Sequence, residues 1–480
     1  MRSVPTLHAP AWAQLCGIVA LSAACTVAPN AMSSGSLGAD WEYTAVLDAT
    51  ATHLEVEARL GEPLGRELVV RERAAPFVAG AEWWDGRRWR TLPGAGGIWQ
   101  LPAAARAPLQ VRYRYALQAA AEALEPRSLR EGVVAAPPSQ WTMRPRGFDG
   151  ASILYRVRDR ASMRFVTGMF DDPASGASAF RLRAGDLARD PYCAFGDFEL
   201  HALEVGGARI QVAMMPGFRG VGSEALLDWV EEAAEQVSDY YSGFPVPRLL
   251  VQVRASGWRG GTFGRTFGRG GAWIEGYVGR RTDAAGLADD WIMAHEMSHL
   301  GLPMLDRRHH WMEEGVATYL ESVVRARAGN KSAEDFWVKM AEGLPNGQPG
   351  PDDRGLDRTA TWGRTYWGGA LFWFTADLEI RRRTRGARGL EEALRGIVAA
   401  GGDMSVHWPV QRVLATGDGA TGTQVLTELY AAWRETPVTV DLEAVFAGLG
   451  VNVERDRVRW DDDAPEAWLR NALTTPGSPE

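Results

Sequence analysis

The chain has 480 residues, enough for two or three domains, and its 46% apolar and 23% charged residues are the balance of a folded globular protein. Its 52 basic and 60 acidic side chains leave a formal charge of −8, which gives no electrostatic case for binding nucleic acid or an anionic membrane surface. The basic side chains are nearly all Arg, with Lys331 and Lys339 the only lysines, and with the abundant Gly and Ala this reads as the coding bias of a GC-rich bacterial genome.

Arg2 precedes an apolar stretch from about residue 11 to 24, too short to span a bilayer and of the length of a signal-peptide core. It ends in Leu21-Ser-Ala-Ala-Cys25, an imperfect lipobox with Ser22 where an aliphatic residue is preferred. Residues 1–25 are therefore expected to export the chain. It would end as a lipoprotein attached to the inner or outer membrane through Cys25, or free in the periplasm or medium. Cys16 would leave with the leader and Cys193 would lack a second thiol to bridge to, so no structural disulfide is expected. Residues 26–39 read as a flexible tether.

Apolar residues alternate in 53–60, 67–72, 109–115, 153–157, 164–170 and 208–214, which predicts a predominantly β domain over residues 40–215. Leu117 to Leu124 is an Ala-rich helical exception. A helical period starts at Ser223 and opens a segment, 216–385, in which the chemistry concentrates. The Gly-rich run 256–271 contains a doubled Thr-Phe-Gly-Arg; no Gly-Lys-Ser/Thr follows it, so it reads as a hairpin on a cleft rim and not as a phosphate loop.

The strongest signal is His295-Glu296-Met297-Ser298-His299. On a helix, His at i and i+4 aim both imidazoles at one point where a zinc ion can sit, and Glu296 can accept a proton from water there. Asp289 or Asp290 can cap this helix, while Trp291, Ile292 and Leu300 would give it buried faces. After a polar turn, Trp311 to Glu321 reads as a second helix with Glu314 and Glu321 seven residues apart on one face. Glu314 is placed to be the third ligand. Glu321 is placed to accept a hydrogen bond from a ligand imidazole and fix its tautomer. Glu313 reads as a solvated helix face, and His309 and His310 as a solvated turn or a cleft lining.

HExxH followed by a helix reading Glu-Gly-x-Ala-x-x-x-Glu resembles the gluzincin metallopeptidases of the thermolysin-like clan, closest to the membrane alanyl and glycyl aminopeptidases. The resemblance extends to Thr365-Tyr-Trp-Gly-Gly-Ala-Leu-Phe372, and to the helix end and aromatic-Pro turn of Asp239-Tyr-Tyr-Ser-Gly-Phe-Pro-Val-Pro247. It implies an α+β multidomain fold: a β-sandwich-like N-terminal domain, a thermolysin-like zinc catalytic domain and a helical C-terminal region over 386–460. It also implies Zn2+ as cofactor, a peptide or protein as substrate, and Tyr366 as hydrogen-bond donor to the oxyanion. Gly270 to Gly276 stands where the aminopeptidases carry an edge-strand motif, so Glu275 would hold the substrate's amino terminus or be an ordinary edge-strand residue. Two departures stand out: the stretch from His299 to Glu314 is shorter than in the family, and the edge-strand motif is not reproduced. Zinc aminopeptidase, zinc endopeptidase and a non-catalytic, metal-binding exported recognition module are the readings that follow. The Pro/Gly loop 344–355 is a flap over the site or a solvated loop, four helices are expected between 371 and 449, and the acidic end after Asp461 is expected to fray. The oligomeric state has no signature in the sequence.

Overall fold

The computed structural model describes residues 39–475, apart from 127, 128, 130–132, 161, 177, 190 and 219. The export leader, Cys25 and the tether up to residue 38 lie outside the described residues. Among those described, no helix is long and apolar enough to cross a membrane.

The alternating segments do form strands. Trp41–Leu47, Leu54–Leu60, Leu109–Tyr115 and Ser152–Arg158 lie together in an eight-stranded sheet. Period-2 alternation puts Trp41, Tyr43, Leu54, Val56, Val111 and Tyr115 on one buried face. The aromatic residues of that core keep their polar atoms satisfied: the Tyr43 hydroxyl donates to the Met143 carbonyl at 2.8 Å, and that of Tyr113 to the Trp141 carbonyl at 2.6 Å. Cys193 is buried against this core beside the Thr167 hydroxyl, 3.0 Å away.

The sequence boundary at 215 needs correction. Ala208–Met214 pairs in parallel with Arg248–Ala255 and so belongs to a second, five-stranded sheet, in the order 199–205, 208–214, 248–255, 273–278, 262–267. Seven of the eight residues of Arg248–Ala255 are buried, as in a central strand that needs neighbours on both edges. Alternation in 208–214 reports a strand without saying which sheet it joins.

Ser223–Tyr241 packs on one face of this sheet, and the helices Ile292–Ser298, His310–Arg327 and Gly369–Thr384 follow. The C-terminal helices Leu390–Ala399, Val425–Trp433 and Leu442–Gly448 are where the sequence suggests, with a further helix, Val410–Thr421, that it does not. All share one apolar cluster with the five-stranded sheet, so this helical region is not an independent core. The expected fraying after Asp461 is wrong for most of that segment. Ala467–Thr474 is a helix with Leu469 and Leu473 fully buried, and the Arg470 guanidinium is held by the carbonyls of Leu449, Gly450 and Asp461.

Candidate metal centre and active site

The helix that carries His295 and His299 starts where Asp290, not Asp289, accepts its first N–H. Asp290 Oδ1 accepts from the Ile292 N–H at 2.9 Å and from Trp229 Nε1 at 3.1 Å, while Oδ2 takes the Thr262 hydroxyl. Asp289 pairs with Lys331. The helix Ile292–Ser298 tightens into a 3-10 turn at His299–Gly301, and Ile292 and Leu300 are buried as expected. Trp291 is not: it is 38% exposed, with its ring edge-on to His295.

The structure brings His295, His299 and Glu314 together, with one ligand atom from each lying within 4.8 Å of the others. Glu314 Oε2 is 3.6 Å from His295 Nε2 and 3.7 Å from His299 Nε2. Donors about 2.0–2.1 Å from a tetrahedral ion would stand about 3.3 Å apart, so small side-chain adjustments close the site. Two of the three groups are in the state a dication needs, while His295 is raised from its ordinary value, burial being outweighed by Glu314, Glu296 and Glu321. Burial pushes His299 down to about 4, leaving a neutral imidazole. Burial works the other way on Glu314, but His299, His295 and His310 outweigh it and hold the carboxyl down to about 2. His295 Nδ1 is buried without a hydrogen-bond partner.

Glu296 is buried beside these ligands, and burial raises it to about 7, a range suited to accepting and returning a proton near neutrality. Its carboxylate lies against Thr262–Phe267. Thr266 Oγ1 is 2.6 Å from Glu296 Oε2, and a Cβ at Gly264 would stand 2.3 Å from Glu296 Cγ. Neither Gly264 nor Thr266 was singled out by the sequence; only the doubled Thr-Phe-Gly-Arg drew notice to their segment.

That strand also corrects the placement of the edge. Thr262–Phe267 is the edge strand, antiparallel to Trp273–Val278, so Glu275 sits one strand in, opposite Arg265. Gly276 packs toward Met293 and Trp229 on the helical side, so by alternation Glu275 points to the other face. There it lies 3.8 Å from Arg254 and 3.3 Å from the Tyr277 hydroxyl. The edge strand itself carries no carboxylate.

Glu321 departs from its expected role. It is buried, but it accepts from Arg325 Nη1 at 3.1 Å, Ser322 Oγ at 3.1 Å and Lys339 Nζ, and not from a ligand imidazole. Burial opposes its ionisation, and Lys339 and Arg325 overcome that and lower its pKa. Lys339 also sits over the Trp291 ring, 5.4 Å from its centroid. Two cations, one eighteen residues away in sequence, compete better for a carboxylate than a neutral N–H does.

The turn before the second helix is not simply solvated. His309 is buried: Arg308 Nε donates to its Nε2 at 3.0 Å, so Nδ1 carries the proton and donates to Asp357 at 3.0 Å. Trp311 Nε1 and the Tyr430 hydroxyl reach the same Asp357 carboxylate at 2.8 and 2.9 Å. His310 is exposed and stands between Glu313 and Glu314, at 3.2 and 3.4 Å, and Glu313 also accepts from the Leu305 N–H at 2.9 Å. The i, i+3 and i+4 spacing was a readable signal for the His310 contacts.

Tyr366 is half-buried in a wide π turn, Arg364–Gly368, with its ring 6.2 Å from that of Trp362. Backbone contact positions this turn. A Cβ on Gly315 would lie 2.3 Å from the Gly369 carbonyl carbon, so the helix carrying Glu314 crosses the helix following Tyr366 with no side chain between. The 344–355 segment is pinned beneath them. Asp353 and Arg364 form a buried ion pair at 2.8 Å, and Gln348 exchanges hydrogen bonds with the Val440 backbone at 2.7 and 3.1 Å.

No protein-family model and no curated protein matches the sequence. Among solved structures, an aminopeptidase N family protein from Idiomarina loihiensis matches over 86% of this chain and 79% of its own, at 14% identity and a TM-score of 0.59. An M1 zinc metallopeptidase from Deinococcus radiodurans matches over 85% of this chain and 96% of its own, at 16% identity and 0.49. A mutant of that Deinococcus enzyme bound to a Tyr-Ser-Ala substrate gives 84%, 94%, 15% and 0.48. The multidomain α+β architecture expected here, β-rich at its N-terminal end and helical at its C-terminal end, is thus shared with an aminopeptidase N family protein.

Proposed function

We propose that this chain is a zinc-dependent peptidase of the gluzincin kind, hydrolysing peptides with an amino-terminal preference. The observation that carries the reading is the convergence of His295, His299 and Glu314 beside a buried Glu296 whose proton affinity is raised. The donor set, two imidazole nitrogens and one carboxylate with no fourth protein ligand among the described residues, is that of a catalytic zinc and not of a structural one. Zinc bound there supplies Lewis acidity toward the scissile carbonyl and acidifies water. Glu296 accepts the proton of the attacking water and delivers it to the leaving amine as the C–N bond breaks. Tyr366 donates its phenol hydrogen bond to the developing oxyanion. The thermolysin-like catalytic domain and β-sandwich-like N-terminal domain belong to this reading. So does export through residues 1–25, with Cys25 as the lipid anchor of a lipoprotein or a free periplasmic or secreted end product.

In the amino-terminal reading Glu275 is the carboxylate assigned to the substrate ammonium. Its proximity to Arg254 and the absence of a carboxylate on the edge strand favour a second reading, an endopeptidase. Peptide libraries with free and acetylated amino termini separate the two: equal internal cleavage of both removes the amino-terminal preference. The zinc assignment is tested by elemental analysis. About one zinc per chain is expected, lost in His299→Ala and kept in Glu296→Gln, whose turnover should fall by about two to four orders of magnitude. Unchanged turnover in Glu296→Gln, or in protein stripped by a chelator, overturns the peptidase reading.

A further inference from the structure

The doubled Thr262-Phe-Gly-Arg and Thr266-Phe-Gly-Arg has a spacing of four, an even number, so on a strand both threonines face the same way. That side is the catalytic helix. Thr262 gives its hydroxyl to Asp290, which holds the first turn of the helix, and Thr266 reaches Glu296 one strand repeat later. Gly264 lies between them, and the Glu296 side chain occupies the space that a Cβ there would need.

Thr266 Oγ1 has two neighbours on the same residue: Glu296 Oε2 at 2.6 Å and the Glu296 main-chain carbonyl oxygen at 2.8 Å. A hydroxyl has one proton to donate and can also accept. The contact with Oε2 is the shorter of the two, and the main-chain oxygen lies close enough to fix the hydroxyl between them. We propose that Thr266 is a positioning residue that holds the Glu296 side chain in place through its hydroxyl, with the repeat clamping the edge strand to the helix of Glu296 at two points. The proposal rests on Glu296 being the general base. The proton moves from the attacking water to Glu296 and on to the leaving nitrogen, and Thr266 gains and loses none.

The test compares Thr266→Val, which removes the hydroxyl, with Thr266→Ser, which keeps it, in the wild type and in Glu296→Gln. In the wild-type background Thr266→Val should lower kcat by about ten- to a hundredfold, the range of one charge-assisted hydrogen bond, with KM and zinc content unchanged. Thr266→Ser should recover kcat to within about threefold, and in Glu296→Gln the valine change should cost kcat less than about threefold, because the two act through one contact. The idea is overturned if Thr266→Val keeps kcat, if serine does not restore it, or if valine is equally harmful in the Glu296→Gln background. The second readout is the melting temperature of metal-free protein, in which Thr266→Val and Glu296→Gln should be non-additive; additive shifts there also overturn the contact. If Glu296→Gln leaves turnover unchanged, the peptidase reading fails, and the melting cycle still decides whether Thr266 holds Glu296.

Discussion

Gly264→Ala separates the chemistry of the site from its stability. An alanine Cβ would stand 2.3 Å from Glu296 Cγ, 2.7 Å from Oε1 and 2.8 Å from Cδ. Ordinary contact begins near 3.4 Å, so Glu296 Cγ must retreat by about 3.4 − 2.3, or about 1.1 Å. The clashing atoms are the end of a flexible side chain and Gly264 does not have a positive φ, so the backbone accepts alanine. The fold should lose little. Alanine restricts the unfolded chain and stabilises by about 0.4–1 kcal/mol, while a disturbed hydrogen bond from Thr266 costs about 1.5–3 kcal/mol. Activity should lose much more, because a misplacement of about 1 Å in a reacting group costs on the order of a hundredfold. The assay is kcat/KM on a peptide substrate, with zinc content and urea unfolding measured on the same preparation. A drop of about a hundredfold with zinc retained is expected. Turnover within about threefold of wild type would mean that Glu296 works from another position, and would refute the argument.

Three further outcomes follow from the packing around the site. Gly315→Ala drives a methyl into the Gly369 backbone; overpacking of this kind costs about 1–3 kcal/mol in urea unfolding, and because it displaces the helix carrying Glu314 it should also weaken zinc retention during dialysis. Lys339→Met removes a cation from the buried Glu321, which should cost about 1–2 kcal/mol at pH 7, discounted because Lys339 is partly in water. The folded pKa of Glu321 is depressed, so its contribution is full above the ordinary carboxylate range and is lost as pH falls through the folded value. The variant's unfolding free energy should therefore fall less than wild type's on acidification from about pH 7 to about pH 4, and parallel curves would contradict this. Tyr366→Phe should lower kcat by about a hundred- to a thousandfold with KM little changed; a rise in KM alone would make Tyr366 a substrate-binding residue only.

What the sequence determined by itself is local. His295, Glu296 and His299 are set by helical spacing within one turn, and Glu314 by the next helix, so their convergence was readable before any packing was known. The period-2 segments announced strands at 54–60, 109–115 and 208–214 for the same reason. Tertiary structure decided whatever depends on which segments become neighbours. Alternation cannot say that 208–214 pairs with 248–255, or that 262–267 and not 273–278 forms the edge. With the edge misplaced, Glu275 drew attention, and Thr266 and Gly264, which touch Glu296, did not. Glu321 has the right helical phase for an imidazole, but Lys339 arrives from another helix and takes it. A charged end such as 461–475 looks soluble until Leu469 and Leu473 find a groove and Arg470 finds three carbonyls. Spacing along one element fixes directions; long-range pairing, which no short window contains, fixes partners.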